Sequence, residues 1–199
     1  LTFPHQTRYD NTINFGASPP QPRLGCTEKG TVTMDTQSRK IVVMGVSGCG
    51  KSTVGEHLAA ELGLEYKDGD ELHPQSNIDK MASGQALDDD DRAWWLVQVG
   101  KWLRDRDSGV IACSALKRSY RDLIRTKAPG TIFVHLHGDY DLLLSRMDSR
   151  EDHFMPSTLL DSQFATLEPL GEDEESKVFD IALPIEEIVA AAADWVRNR

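Results

Sequence analysis

Lys51 and Ser52 close the octet Gly45-Val46-Ser47-Gly48-Cys49-Gly50-Lys51-Ser52, and a pair of carboxylates, Asp68 and Asp70, follows a little further on. An ammonium, a hydroxyl and two carboxylates are what phosphoryl transfer asks for. That chemistry needs charge neutralisation, a ligand for Mg²⁺, in-line positioning and an acceptor for the nucleophile's proton. The octet fits G-x-x-x-x-G-K-[ST] at every fixed position. Its glycines let consecutive backbone N–H groups point inward at phosphate oxygens. The positive end of a following helix lies behind them. Lys51 then reaches the β- and γ-phosphates of ATP, and the Ser52 hydroxyl ligates Mg²⁺. The expected ATP-binding segment is therefore Gly45, Val46, Ser47, Gly48, Cys49, Gly50, Lys51, Ser52 and Thr53. Cys49 serves there as a small side chain, and a helix N-terminus beside it would lower its pKa and make it oxidisable.

Asp68-Gly69-Asp70 stands just after the expected second strand, at the carboxyl edge of the expected sheet, where open α/β folds bind ligands. In an extended segment alternate side chains share a face, so both carboxylates could look at the phosphate loop. One would hold a Mg²⁺-bound water and the other would receive a substrate hydroxyl proton. The plainer alternative is an acidic turn, since Asp-Gly is a common turn pair. His73 reads equally as a capping or core histidine and as a substrate contact. Lys117, Arg121 and Arg125 share a helix face; a solvated basic face is the bland alternative, and anion binding by Lys117 and Arg121 is the expectation. His135 and His137 lie on one face of a strand without a third ligand nearby, which favours a buried structural role over a metal pair.

The elements that must position these groups alternate. Strands are expected at 40–45, 64–67, 109–113, 131–136 and 178–182. Helices are expected at 51–62, 76–83, 90–106, 117–127, 139–149, 156–167 and 185–197. Such alternation implies an α/β fold with a parallel sheet and helices on both faces. The helix at 90–106 carries an apolar stripe of Trp94, Trp95, Val99, Trp102 and Leu103, expected in the core, with any exposed part available to a homodimer. Gly171 to Ser176 reads as an acidic, solvent-exposed linker.

Composition narrows the function. A chain of 199 residues at 39% hydrophobic can bury one domain's core, and its net charge of −10 leaves no basic stripe for nucleic acid or anionic membrane. Cys26, Cys49 and Cys113 form neither a disulfide framework nor a zinc pattern, which fits a reducing compartment, the cytoplasm. Residues 1–38 are proline-rich and lack apolar periodicity, so they read as a disordered leader ahead of a domain at 39–199. Met34 is a candidate start, with a transit peptide as the alternative. A switch GTPase would need Asp-x-x-Gly and Asn-Lys-x-Asp, and neither occurs.

Three further strings carry a resemblance: Asp68-Gly69-Asp70-Glu71-Leu72-His73-Pro74 with Asn77, Lys80-Met81 and Gly84; Leu87 with Asp89-Asp90-Asp91-Arg92; and Cys113-Ser114-Ala115-Leu116-Lys117 with Tyr120-Arg121-Asp122. His153-Phe154-Met155-Pro156, then Leu160, Gln163-Phe164 and Thr166-Leu167-Glu168, extend it. Together they resemble the gluconate kinases of the small, shikimate-kinase-like type over about residues 40–197. The resemblance implies a three-layer fold like that of nucleoside monophosphate kinases, with a five-stranded parallel sheet and a mobile lid. It implies transfer from ATP, with Mg²⁺, to O6 of D-gluconate, giving 6-phosphogluconate for the pentose phosphate route. By the same resemblance Lys51 and Ser52 serve ATP and Mg²⁺, Asp70 contacts substrate hydroxyls, and Asp68 lies near the metal. The basic helix start, with Lys117 and Arg121, holds the gluconate carboxylate, and Arg150 in the lid covers the transferred phosphate. Ala86 and Trp94 stand where the family has prolines, which loosens the substrate-side helices without removing a chemical group. A nucleotide-binding regulatory protein of the same fold, and a kinase for another hydroxy acid such as shikimate, are the alternatives. The intact Lys51, Ser52, Asp68 and Asp70 set speaks for the enzyme.

Overall fold

The computed structural model describes residues 38–85, 87–148 and 157–199. The short β-branched run Lys40–Met44 forms β1 and feeds the glycine loop, after which Lys51–Leu62 forms α1. Helix α1 stops at Gly63, whose left-handed backbone (φ 67°) returns its N–H to Ala60, while Leu64 bonds Ala59. Next come β2 (Tyr66–Asp68), a 3₁₀ turn (Gly69–Leu72), α2 (Gln75–Ala82) and α3 (Asp89–Arg104). The chain continues through β3 (Gly109–Ala112), α4 (Arg118–Lys127), β4 (Thr131–His137) and α5 (Tyr140–Asp148). It ends with α6 (Ser157–Thr166), β5 (Ser176–Asp180) and α7 (Ile185–Arg197).

The five strands form one parallel sheet in the order β2-β3-β1-β4-β5. β1 is central, with Val42 flanked by Ile111 of β3 and Phe133 of β4. Alternation along β1 sends its side chains to two cores. Ile41 and Val43 pack with Val54 and Leu58 of α1, Leu143 of α5, Leu160 of α6 and Ala192 of α7. Val42 and Met44 pack on the other face with Leu96, Val99 and Leu103 of α3 and Ile124 of α4. The strand order reverses beside β1, so the crevice at its carboxyl end is where this architecture binds ligands.

The acidic run before α3 has a local task. Asp88 accepts the Asp91 N–H while Asp91 accepts the Asp88 N–H, a capping box, and Lys80 bridges both carboxylates. Of the apolar stripe on α3, Trp95, Val99 and Leu103 are buried, Trp102 lies under the Arg106 guanidinium, and Trp94 stands 54% exposed. Residue 86 lies outside the described residues.

Most element bounds shift from expectation by one or two residues, and three of the differences have a clear structural cause. β2 runs to Asp68 because Asp68 still pairs with Ala112, which places that carboxylate on the strand itself. β5 starts at Ser176, since Phe133 N–H already bonds Glu175 O. The expected acidic linker before it is exposed at Glu172, Asp173 and Glu175 but is tied down through Glu174, which is only 3% exposed. At the other end the folded body includes Ser38, whose hydroxyl bonds Asp107 O; residues 1–37 lie outside the described residues. No described helix is long and apolar enough to cross a membrane.

Candidate active site

The glycine loop turns on backbone conformations that side chains resist. Gly45 has φ 143°, and a Cβ there would stand 2.5 Å from Leu136 O and 2.8 Å from Cys49 Sγ. Gly48 and Gly50 have φ 80° and 90°. Gly50 is the N-cap of α1, and no side chain caps the first N–H groups of that helix. They remain for an anion, with the helix dipole behind them. Lys51 Nζ spans the loop to Val46 O at 2.9 Å.

Asp68 joins this loop to the second carboxylate. Its Oδ2 accepts the Ser52 hydroxyl at 2.8 Å, and its Oδ1 accepts the Asp70 N–H at 3.0 Å. The pair is therefore not two alternate side chains of an extended strand. Gly69–Leu72 is a 3₁₀ turn that Asp68 caps, and the turn swings Asp70 round beside Asp68. Trp95 Nε1 pins the turn by donating to Gly69 O at 2.6 Å. The Asp70 carboxyl is raised above its usual pKa, by desolvation first and by the Asp68 charge next, while Lys51 pulls it down. Its side chain is 80% exposed, so water tempers the desolvation and the neighbouring charges set much of its character.

His73 is held rigidly. Its ring stacks on Trp95 at 4.2 Å between centroids, with 16° between planes. Asn77, itself buried, donates one amide hydrogen toward His73 Nδ1 (3.3 Å) and the other to Asp91 O (2.8 Å). That fixes the tautomer with the proton on Nε2, which faces Asp70 Oδ1 at 3.9 Å. Burial first, and Arg92 second, push the His73 pKa down to about 4. The imidazole is thus neutral at physiological pH, with Nε2–H facing Asp70 beyond hydrogen-bond distance.

Lys117, the N-cap of α4, is paired with Asp89 at 2.7 and 2.8 Å, and the Tyr120 hydroxyl bonds the same carboxylate. Arg121 departs from expectation. It is fully buried and does not present its guanidinium to a ligand. Nε and Nη2 grip Glu174 at 2.6 and 2.9 Å; Nη1 donates to Leu116 O and Glu168 O, and Nη2 to Pro169 O. Every N–H of the fork is committed, so none is left for a substrate carboxylate. Arg121 instead cements the wall formed by residues 115–116 and 168–174. That wall includes Ala115, a non-glycine residue at φ 44°.

The pairing sets the electrostatics of Glu174. Burial pushes its pKa up, but the Arg121 and Gly171 hydrogen bonds outweigh that and hold it below the usual value. Arg121→Ala strands a buried carboxylate and should cost about 3–5 kcal/mol. Glu174 has a depressed folded pKa, so the pair's stabilisation is present above the ordinary glutamate pKa and is lost as pH falls through the folded value. Chemical denaturation at pH 7 checks the cost. An Arg121→Ala variant as stable as wild type would reinstate Arg121 as a ligand group.

Cys49 is buried, and burial raises its pKa despite Lys51, so it is not the oxidisable thiolate expected. His135 is buried and His137 exposed, with rings 5.9 Å apart. Among the described residues no group of three His, Cys, Asp or Glu could hold a metal by itself. Arg150 and His153, with the expected lid, lie outside the described residues. Two polar residues of the site carried no chemical signal in their spacing. Asn77 and Gln163 appear only within the strings of the resemblance, and Gln163 bonds Ser47 of the loop.

The chain is similar to known proteins over most of its length. A family model for shikimate kinase matches residues 47–191. The gluconokinase of Gluconobacter oxydans (strain 621H) is 48% identical over 145 residues, 71% of this chain and 82% of that protein. The thermoresistant gluconokinase of Escherichia coli (strain K12) is 44% identical over 162 residues, 79% of this chain and 93% of its own. The crystal structure of a gluconokinase from Sinorhizobium meliloti 1021 superposes with a TM-score of 0.76 at 48% identity, covering 81% of this chain and 93% of that one.

Proposed function

This chain belongs to the gluconokinases, within the shikimate kinase family, and we propose on that premise that it transfers the γ-phosphoryl group of ATP to the 6-hydroxyl of D-gluconate. The observation that carries the chemistry is Asp68, whose carboxylate holds Ser52 of the phosphate loop with one oxygen and the Asp70 backbone with the other. That bond supports reading the loop and Asp70 as parts of one site.

The residues divide the work. The open N–H groups of the loop and α1 bind the phosphate chain, and Lys51 exchanges Val46 O for phosphate oxygens. Asp70 receives the proton of the attacking hydroxyl; its raised pKa brings it closer to neutral, which suits a base. The His73 Nε2–H orients Asp70 or the hydroxyl beside it. Lys117 meets the substrate carboxylate by releasing Asp89. Mg²⁺ favours oxygen donors and keeps waters and phosphate oxygens around one or two protein ligands. The Ser52 hydroxyl and the Asp68 carboxylate, 2.8 Å apart, fit that requirement and would hold it. When bound, the ion neutralises charge on the β- and γ-phosphate oxygens. ATP supply and reduced Cys49 and Cys113 suit a cytoplasmic setting.

A coupled ADP-release assay across gluconate, shikimate, glucose and AMP tests the reading. Turnover with gluconate far above the others is the expected result. Preference for shikimate or AMP would overturn the substrate assignment.

A further inference from the structure

Gln163 reaches from α6 to the phosphate loop and spends both ends of its carboxamide on one residue. Its Oε1 accepts the Ser47 N–H at 2.6 Å, and its Nε2 donates to Ser47 Oγ at 2.9 Å. The helix beneath it is well anchored. Leu160 is fully buried, the Phe164 ring packs on Tyr140 at 5.6 Å, and the Glu168 N–H bonds Leu116 O at 2.9 Å. The amide is therefore a fixed template against which the loop is set.

The pattern decides how Ser47 can serve a ligand. A hydroxyl has one proton and two lone pairs. With Nε2–H on one lone pair, the Ser47 proton is directed away from Gln163. With Oε1 on the Ser47 N–H, that backbone donor is spent. Ser47 is thus left with one outgoing donor, Oγ–H, in a loop whose neighbouring amides are arranged for phosphate. We propose that Gln163 is a positioning residue that sets the third position of the phosphate loop, so that Ser47 presents its hydroxyl proton rather than its amide to the phosphate chain of ATP. This rests on reading Gly45–Ser52 as the ATP site.

Gln163→Glu is the sharpest probe. A carboxylate keeps an acceptor for the Ser47 N–H but has no donor. The Ser47 hydroxyl then turns to donate into it, and a negative charge comes to lie beside the phosphates. ATP affinity by calorimetry should weaken about tenfold or more, a charged hydrogen bond being at stake. Melting temperature should stay within a few degrees of wild type. Gln163→Leu, which cannot capture the proton, should weaken ATP binding less than Gln163→Glu and covers the case in which the glutamate variant fails to fold. Ser47→Ala tests the route. If Gln163 acts through Ser47, Gln163→Leu adds nothing to Ser47→Ala, and the double-mutant cycle is strongly non-additive. Additive losses, or wild-type ATP affinity in folded Gln163→Glu or Gln163→Leu, would overturn the role of Gln163 alone. A wild-type enzyme that fails to bind ATP removes the nucleotide site, and this role with it.

Discussion

Lys51→Ala should leave a folded protein whose phosphoryl transfer is lowered by at least about 10²–10³-fold, the loss typical of one preorganised electrostatic group. The residue is the first of α1, and its ammonium spans open loop to Val46 O rather than filling a core. Alanine is a good helix former at that position, so little stability is lost. The chemical loss is double. The lysine neutralises charge on the bridging oxygens as the γ-phosphoryl group leaves. It also holds down the Asp70 pKa against desolvation and the Asp68 charge. Without it the base is harder to keep ionised at the moment a proton must be taken. Steady-state turnover with saturating ATP and gluconate is the measurement, with circular dichroism as the folding control. More than a tenth of wild-type turnover in the purified variant would disqualify the loop as the catalytic ATP site.

The parts of this site that are written locally were legible in the sequence. Helices α1 and α7 fall where the pattern put them, because Gly50 and Gly63 bracket one and Pro184 opens the other. The loop was legible because its backbone geometry needs glycine at fixed positions. Asp68 and Asp70 were legible as a pair, but not their geometry. A three-residue strand and a 3₁₀ turn look alike in so short a stretch, and the turn is fixed by Trp95, a tertiary contact. Arg121 shows where such reasoning stops. An arginine on a basic face near a phosphate loop suits an anion, and nothing local reveals that its anion is Glu174, 53 residues away. In a chain of net charge −10 a carboxylate of the protein itself is the readier partner. Gln163 was visible only as part of a family string, and its contact with the loop was hidden for a related reason. A lone amide on a helix has no spacing signature, and its meaning comes from the loop 116 residues earlier.

Asp70→Asn separates the base from everything else the carboxylate does. Asparagine keeps the size and much of the hydrogen bonding but cannot take a proton, and a positioned base contributes about 10²–10⁴-fold. Turnover should fall by that order while ATP affinity changes little, since the phosphate loop and Asp68 are untouched. The pH dependence gives a second, independent signature. The base works ionised, so activity is lost as pH falls through its folded pKa. Desolvation and Asp68 raise that pKa, so the acid limb of wild-type kcat/KM should lie above the ordinary aspartate value. Burial pushes the His73 pKa down to about 4, so its imidazole is already neutral at physiological pH, where the limb is approached from above. In Asp70→Asn the limb should vanish along with the rate. If turnover stays near normal, only KM for gluconate rises and the limb persists, then Asp70 orients the substrate and the proton leaves by another route.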